Sequence, residues 1–287
     1  MAGGLADIDV GELREIAVAV ADEAAQLAQS RRGGRLEPTA KSSAVDLVTA
    51  ADREVEALIR RRLAEARPRD GILGEEEGAH AGDSGLTWVI DPIDGTTNYV
   101  YGLDSYAVSI AVVAGEPVPP DWRVLAGCVH APALGTSWSA EHGGGAYRGA
   151  QRLEVSDPPG LDHALLATGF GYAVEQRRSQ AAVLNHVLPQ VRDIRRLGAA
   201  AVDLCLVASG AVDGYYEQFL NPWDVAAGWL VVTEAGGEVR QLHGAGPGQE
   251  CLVAGGRLVV EGLSELLPSA FAGAAVSGAK SDVDHSG

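Results

Sequence analysis

Leu13, Ile16, Ala17, Val20 and Ala24 recur at intervals of three and four residues, the period of one helical face, and predict an amphipathic helix over 10–29. The segment KSSAVDLVTAADREVEALIRRRLAEARP carries a second helical period through Val55, Leu58, Ile59 and Leu63. Thr49 and Asp52 have the spacing of a capping box, so this helix opens there and stops near Pro68. Shorter apolar runs follow. GILG is strand-like for a few residues, TWVID ends a buried strand at its aspartate, and YAVSIAVVAG is another strand. Three prolines in 115–121 mark a hairpin or surface excursion. LAGCVHAPALG and TSWSAEHGGGAYRG read as paired strands with glycine turns.

The SDPPG stretch within 154–160 punctuates the chain, and beyond it strands and helices alternate. ALLATGFGY reads as a strand, 176–191 as a helix, and IRRLGAAAVDLCLVASG as a strand end running into a helix. AVDGYYE is a strand, NPWDVAAGWLVVTEAGG a helix ended by paired glycines, ECLVAGG a strand and LSELLPSAFAG a closing helix. The expected organisation is an α+β part over 8–153, an α/β part over 154–272, and a disordered small-residue tail over 273–287. The first part should hold two helices against a mostly antiparallel sheet, the second a mixed sheet.

Hydrophobic residues make up 46% of the chain and charged residues 21%, as in a globular protein rather than a disordered one. The formal net charge of −17 speaks against a surface that contacts nucleic acid directly. An anionic substrate would also be repelled, unless bound divalent cations invert the local field. Cys128, Cys205 and Cys251 are few, odd in number and widely spaced, which fits reduced thiols in a cytoplasm. Asp7, Asp9 and Glu12 precede the first apolar residues, unlike a signal peptide, and no apolar run approaches the roughly 20 residues of a membrane span. A cytoplasmic protein without membrane contact is expected. Only Lys41 and Lys280 are lysines, which makes Lys41, outside the tail, worth noting.

Several chemistries are absent at the level of motif: there is no HExxH, no GxSxG, no complete GxGxxG, and the seven histidines lack ligand spacing. The carboxylates stand out instead. In WVIDPIDGTTNYVYG, Pro92 restricts the backbone between Asp91 and Asp94, so both side chains and the Ile93 carbonyl can converge on one side. Oxygen ligands of this kind are what Mg²⁺ selects. Gly95, Thr96 and Thr97 offer backbone N–H groups and hydroxyls to a phosphate oxygen if they open a helix. Turn chemistry alone also accounts for a DG dipeptide. Glu75, Glu76 and Glu77 form a second acidic run, either a solvated loop or a strand end facing the Asp91 turn. Asn221 as N-cap and Pro222 at the first helical position place Asp224 at N3, where an acid completes a cap and can also point into a cleft. Lys41 and Asp46 precede the second helix in what reads as an exposed loop.

Taken in order, KSSAVDLVTAAD, GEE, WVIDPIDGTTNYVYG and NPWDVAAGWLVVTEAGG resemble the inositol monophosphatase family over roughly residues 10–270. The resemblance implies a layered αβαβα sugar-phosphatase fold, a homodimer, lithium sensitivity and two to three Mg²⁺ ions. By that likeness Glu75, Asp91 and the Ile93 carbonyl hold a first ion, and Asp91, Asp94 and Asp224 a second. Glu75 also lies near a third, weaker one. Thr96 paired with Asp46 resembles the dyad that activates the attacking water, with Glu76 as a catalytic aid and Lys41 as a possible electrostatic contributor. Gly95 and Thr96 would meet the phosphate; Gly198, Ala199, Ala200, Glu217 and Asp224 would meet the polyol. Ala199 departs from the family pattern, which often has a hydroxyl-bearing residue there, so one hydrogen bond to the ring is lost or taken over by the backbone. The implied activity is hydrolysis of inositol 1-phosphate, a small phosphorylated polyol. Related esters are its rivals: fructose 1,6-bisphosphate, histidinol phosphate and 3′-phosphoadenosine 5′-phosphate. A mainly protein-binding role in transcription is the alternative from another class, and the TTN after DPIDG resembles the inositol branch.

Overall fold

Asp9 opens the first helix, α1 (Val10–Arg31), its carboxylate accepting the Glu12 N–H at 3.1 Å. The computed structural model describes residues 9–32, 39–40, 47–48, 50–243 and 250–281. The alanines of α1 are its buried stripe: Ala17, Ala21, Ala24, Ala25 and Ala28 let the helix lie close against the sheet below it. A short antiparallel pair, β1 (Thr39–Ala40) and β2 (Leu47–Val48), leads to α2 (Ala50–Ala66). Val55, Leu58, Ile59 and Leu63 are buried on α2, as their period predicts.

The larger sheet is built from β3 (Gly71–Gly74), β4 (Gly78–His80), β5 (Leu86–Asp94), β6 (Ala107–Ala114), β7 (Arg123–Ala131), β8 (Thr136–Glu141), β9 (Gly145–Arg148) and β10 (Gln151–Arg152). Its order is β10-β9-β8-β7-β6-β5-β3-β4, and only β3 and β5 run parallel. A short helix, α3 (Thr96–Tyr101), follows β5 directly. Every residue of β6 is buried, because both faces of this sheet are covered.

After the 154–160 punctuation come β11 (Leu165–Thr168), α4 (Val174–Val187), β12 (Asp193–Arg195), α5 (Ala200–Ala208), β13 (Gly214–Gln218), α6 (Pro222–Glu234), β14 (Glu238–Leu242), β15 (Cys251–Gly255) and α7 (Arg257–Ser281). The second sheet has the order β12-β11-β13-β15-β14 and mixes parallel with antiparallel pairs. Two elements of the second half differ most from the sequence reading. EVRQL forms β14, an edge strand whose polar residues hide its period. The last helix continues through Pro268 to Ser281 into the segment expected to be disordered, whose alanines cost little helical entropy.

The layers alternate. The α1/α2 pair covers one face of the large sheet, the α5/α6 pair lies between the two sheets, and α4/α7 covers the outer face of the second. This is the expected αβαβα architecture. The middle layer sits close because Gly127 of β7 has no side chain; a Cβ there would lie 3.2 Å from Ala227 Cα of α6. Cys128, Cys205 and Cys251 are buried and unbridged. Among the described residues no helix is long and apolar enough to cross a membrane.

Candidate active site

The strand β5 does not stop at Asp91; it continues to Asp94 through an irregularity. Asp91 pairs with Ser109 and Asp94 with Ala107, so three steps on β5 match two on β6. That extra residue is a β-bulge at Pro92–Ile93, where proline could not have donated to the ladder in any case. Residues three apart on a regular strand face opposite sides, and the bulge puts both aspartates on one side. Their carboxylates lie within 4.8 Å of each other and of Asp224.

Each of the three is held by backbone N–H groups. Asp91 Oδ1 accepts from Ile93 at 3.0 Å, and Asp224 Oδ2 accepts from Asn221 at 2.6 Å in the capping arrangement predicted for α6. Asp94 accepts from Ala200 at 3.2 Å and Ala201 at 2.8 Å, at the N-terminus of α5. Glu75 directly follows Gly74, the last residue of β3, which pairs with Ile90, so Glu75 reaches the same end of the sheet as Asp91. Both strands of this parallel pair end there, the place where open sheets bind ligands.

The electrostatics are those of crowded acids. Desolvation of its carboxyl in the cleft and then the Asp224, Asp52 and Glu76 charges push Glu75 up to about 8, although the residue as a whole is exposed. Asp91 and Asp94 are raised well above the usual carboxylate range, first by burial, then by Glu75 in one case and Asp224 in the other. For Asp94 the Ala201 and Ala200 N–H groups work against that rise. Burial raises Asp224 to about 6, opposed by its bonds at Asn221. Oxygen-only donors, convergent and mutually repelling, fit a hard divalent cation, which would remove the repulsion.

Beside this cluster the Thr96 hydroxyl lies 3.0 Å from the Ile93 carbonyl and 3.3 Å from Asp52 Oδ1. A hydroxyl has one proton, so it serves one of these acceptors at a time. Asp52 is 2% exposed, on the first turn of α2. The sequence reading assigned Asp52 to the helix cap and gave Thr96 a different partner, Asp46. Asp46, Lys41 and the cap residue Thr49 lie outside the described residues. Glu76 is half-buried and 3.6 Å from the Arg53 guanidinium.

The cleft is open to solvent and offers about 190 Å³ of room, the scale of a small polar molecule. Gly95, Thr96, Gly198, Ala200 and Glu217 line it along with the acids, as the sequence suggested. Gly95 has φ 83°, and a Cβ there would lie 2.9 Å from the Ser105 carbonyl. Ala199 is different: it is 2% exposed, and it is the N-cap of α5 with no side-chain bond to the helix. Glu217 accepts from the Tyr215 hydroxyl at 2.6 Å, while burial raises its carboxyl to about 7. Tyr172, Arg196 and Phe219 are among the wall residues that sequence reasoning passed over. Phe219 takes a left-handed φ of 68°, a strained conformation of the kind that gathers at functional sites. Its only sequence signal was its place directly after the GYYEQ strand.

Comparison with known proteins points the same way. Residues 9–275 match the model of the inositol monophosphatase family. An inositol-1-monophosphatase of Mycobacterium leprae is 44% identical over 275 residues, covering 88% of this chain and 90% of that one. The solved structure of Mycobacterium tuberculosis SuhB superposes with a TM-score of 0.78 at 40% identity, covering 93% of this chain and all of the other. A Pasteurella multocida relative named Nus factor SuhB is 42% identical over 214 residues, covering 73% and 76% of the two chains.

Proposed function

Because the chain belongs to the inositol monophosphatase family, we propose that it hydrolyses inositol 1-phosphate to inositol and phosphate with two to three Mg²⁺ ions. The convergence of Asp91, Asp94 and Asp224 within 4.8 Å carries this reading. Glu75, Asp91 and the Ile93 carbonyl would hold one ion, Asp91, Asp94 and Asp224 a second, with Glu75 near a third. Bound there, the ions would neutralise phosphoryl oxygens, acidify a water and stabilise the leaving alkoxide.

The chain's own groups do the rest. The Thr96 hydroxyl, 3.3 Å from Asp52, orients the attacking water and passes its proton to that buried carboxylate. Among the described residues Asp52 is the carboxylate that the Thr96 hydroxyl meets. The family likeness gives that place to Asp46, which lies outside the described residues. The free N–H groups at the start of α3, from Gly95 onward, face a phosphate oxygen. Water adds to phosphorus, the ester P–O bond breaks, and the departing alkoxide takes up a proton to become inositol. Glu217 and the backbone at Gly198 and Ala200 face the polyol hydroxyls. Ala199, beneath them, contributes packing rather than a contact.

Side-by-side turnover of inositol 1-phosphate, fructose 1,6-bisphosphate, histidinol phosphate and 3′-phosphoadenosine 5′-phosphate tests the substrate. Inositol phosphate should be fastest; its being slowest overturns the choice. A second reading, a protein-binding role in transcription, is favoured by the name of the Pasteurella relative. An Asp94→Asn chain that lacks turnover yet restores a cellular phenotype would establish it.

A further inference from the structure

On α2, Asp52, Glu56 and Arg60 stand at successive intervals of four residues and therefore share one helical face. Asp52 meets Thr96. One turn further on, Glu56 is completely buried and does not line the cleft. Instead it holds the turn that carries Glu75. Its Oε2 accepts the Glu76 N–H at 2.8 Å and its Oε1 the Glu77 N–H at 3.0 Å. Arg60 donates to the same Oε1 at 2.8 Å and to the Gly78 carbonyl at 2.6 Å, beyond the turn. Gly74 makes room for this arrangement. A Cβ there would lie 2.5 Å from Glu56 Oε1 and 2.8 Å from Arg60 Nη2, both fixed by their own bonds.

A buried carboxylate needs such partners to offset its desolvation, and packing on Arg60 alone would supply some of them. What packing does not require is that both oxygens be spent on consecutive N–H groups immediately after a cleft-lining glutamate. We propose that Glu56 and Arg60 are positioning residues for Glu75: they fix the backbone of the 75–78 turn so that Glu75 faces Asp91 before any cation arrives. The inference rests on the metal-site reading above. Groups that orient a ligand without touching the ion typically change metal affinity by about 10- to 100-fold.

The test is the affinity of the full-length protein for Mg²⁺ alone, by titration calorimetry, in Glu56→Gln, Glu56→Asp and Arg60→Gln. Glutamine offers one oxygen where two N–H groups need two, so one N–H is left facing an amide NH₂. Glu56→Gln should weaken Mg²⁺ binding by about tenfold or more. Glu56→Asp keeps both oxygens and should recover part of that loss, and at saturating Mg²⁺ the KM for substrate should stay unchanged in both. Arg60→Gln should weaken Mg²⁺ binding by less, and it serves as the decisive variant if Glu56→Gln does not fold. A lowered melting temperature with unchanged Mg²⁺ affinity would mean packing only and overturns the proposal. Uptake by the unaltered protein with equal affinity in every folded variant overturns the clamp alone. No uptake even by the unaltered protein overturns the clamp and the metal-site reading together.

Discussion

Thr96 and Asp52 meet across 44 residues of sequence, hydroxyl to carboxylate at 3.3 Å, beside the Ile93 carbonyl. The contact joins the helix that follows β5 to the first turn of α2. If it carries the proton, Asp52→Asn should lower kcat by about 10²- to 10⁴-fold with little change in KM, and Thr96→Ala should do the same. The two losses should not add in the double variant, since they break one relay. Steady-state kinetics of Asp46→Asn beside Asp52→Asn decide the pairing: greater damage from Asp46→Asn contradicts it.

Asp94 is both a cleft carboxylate and the acceptor for the start of α5. An Asn there offers one acceptor and turns an NH₂ toward the other backbone N–H. At low pH, where the neighbouring acids are protonated and no repulsion is relieved, Asp94→Asn should therefore cost about 1–3 kcal/mol of stability in the absence of metal, besides abolishing turnover. Denaturant unfolding in a chelator measures it. Unchanged stability would mean that the helix end does not depend on this carboxylate.

The pH dependence has a definite sign. Glu75, Glu217 and Asp224 are raised to about 8, about 7 and about 6, so the folded protein holds protons that the unfolded chain releases. Their stabilisation is fully present below the ordinary carboxylate range and is lost as pH rises through these values, between about pH 4 and about pH 8. Mg²⁺ must displace those protons from the site carboxylates. The Mg²⁺-induced gain in melting temperature should grow steadily from about pH 5 to about pH 8.5, with protons released on binding. A gain independent of pH contradicts the assignment.

Ala199 begins α5 with extended φ −144° and ψ 106°, the N-cap conformation, but without a side-chain acceptor. Ala199→Ser adds a hydroxyl where a helix N–H group can use it, and should stabilise the protein by about 1 kcal/mol. Because the side chain is buried under Gly95 rather than in the cleft, KM for inositol 1-phosphate should stay within about twofold. A large fall in KM without a stability gain would restore Ala199 as a contact position.

How much the sequence disclosed follows from what each element depends on. Most elements were legible because helical and strand periods are local, their layering came only through the family resemblance, and Asp224 was legible because a cap pattern fixes its place at N3. The β5 bulge was not. A strand that ends at Asp91 and one that continues irregularly to Asp94 share the same residues, and the register of β6 decides between them. Asp46 and Asp52 bracket one short segment, DLVTAAD; the phase of α2 brings Asp52 to Thr96, while Asp46 lies outside the described residues. Glu56 gave no sign, since one charged residue in a helix full of them reads as solvated face until burial is known. β14 was missed because its EVRQL sequence lacks a clear apolar alternation.

Crystals soaked with Mn²⁺, which anomalous scattering locates, and with phosphate bear most directly on the split carboxylate site. The account predicts at least two ions, with Asp91 shared between them, Asp94 and Asp224 on one and Glu75 on the other. Asp224 turned away from the ions, or ions bound elsewhere with these four carboxylates left aside, would contradict it.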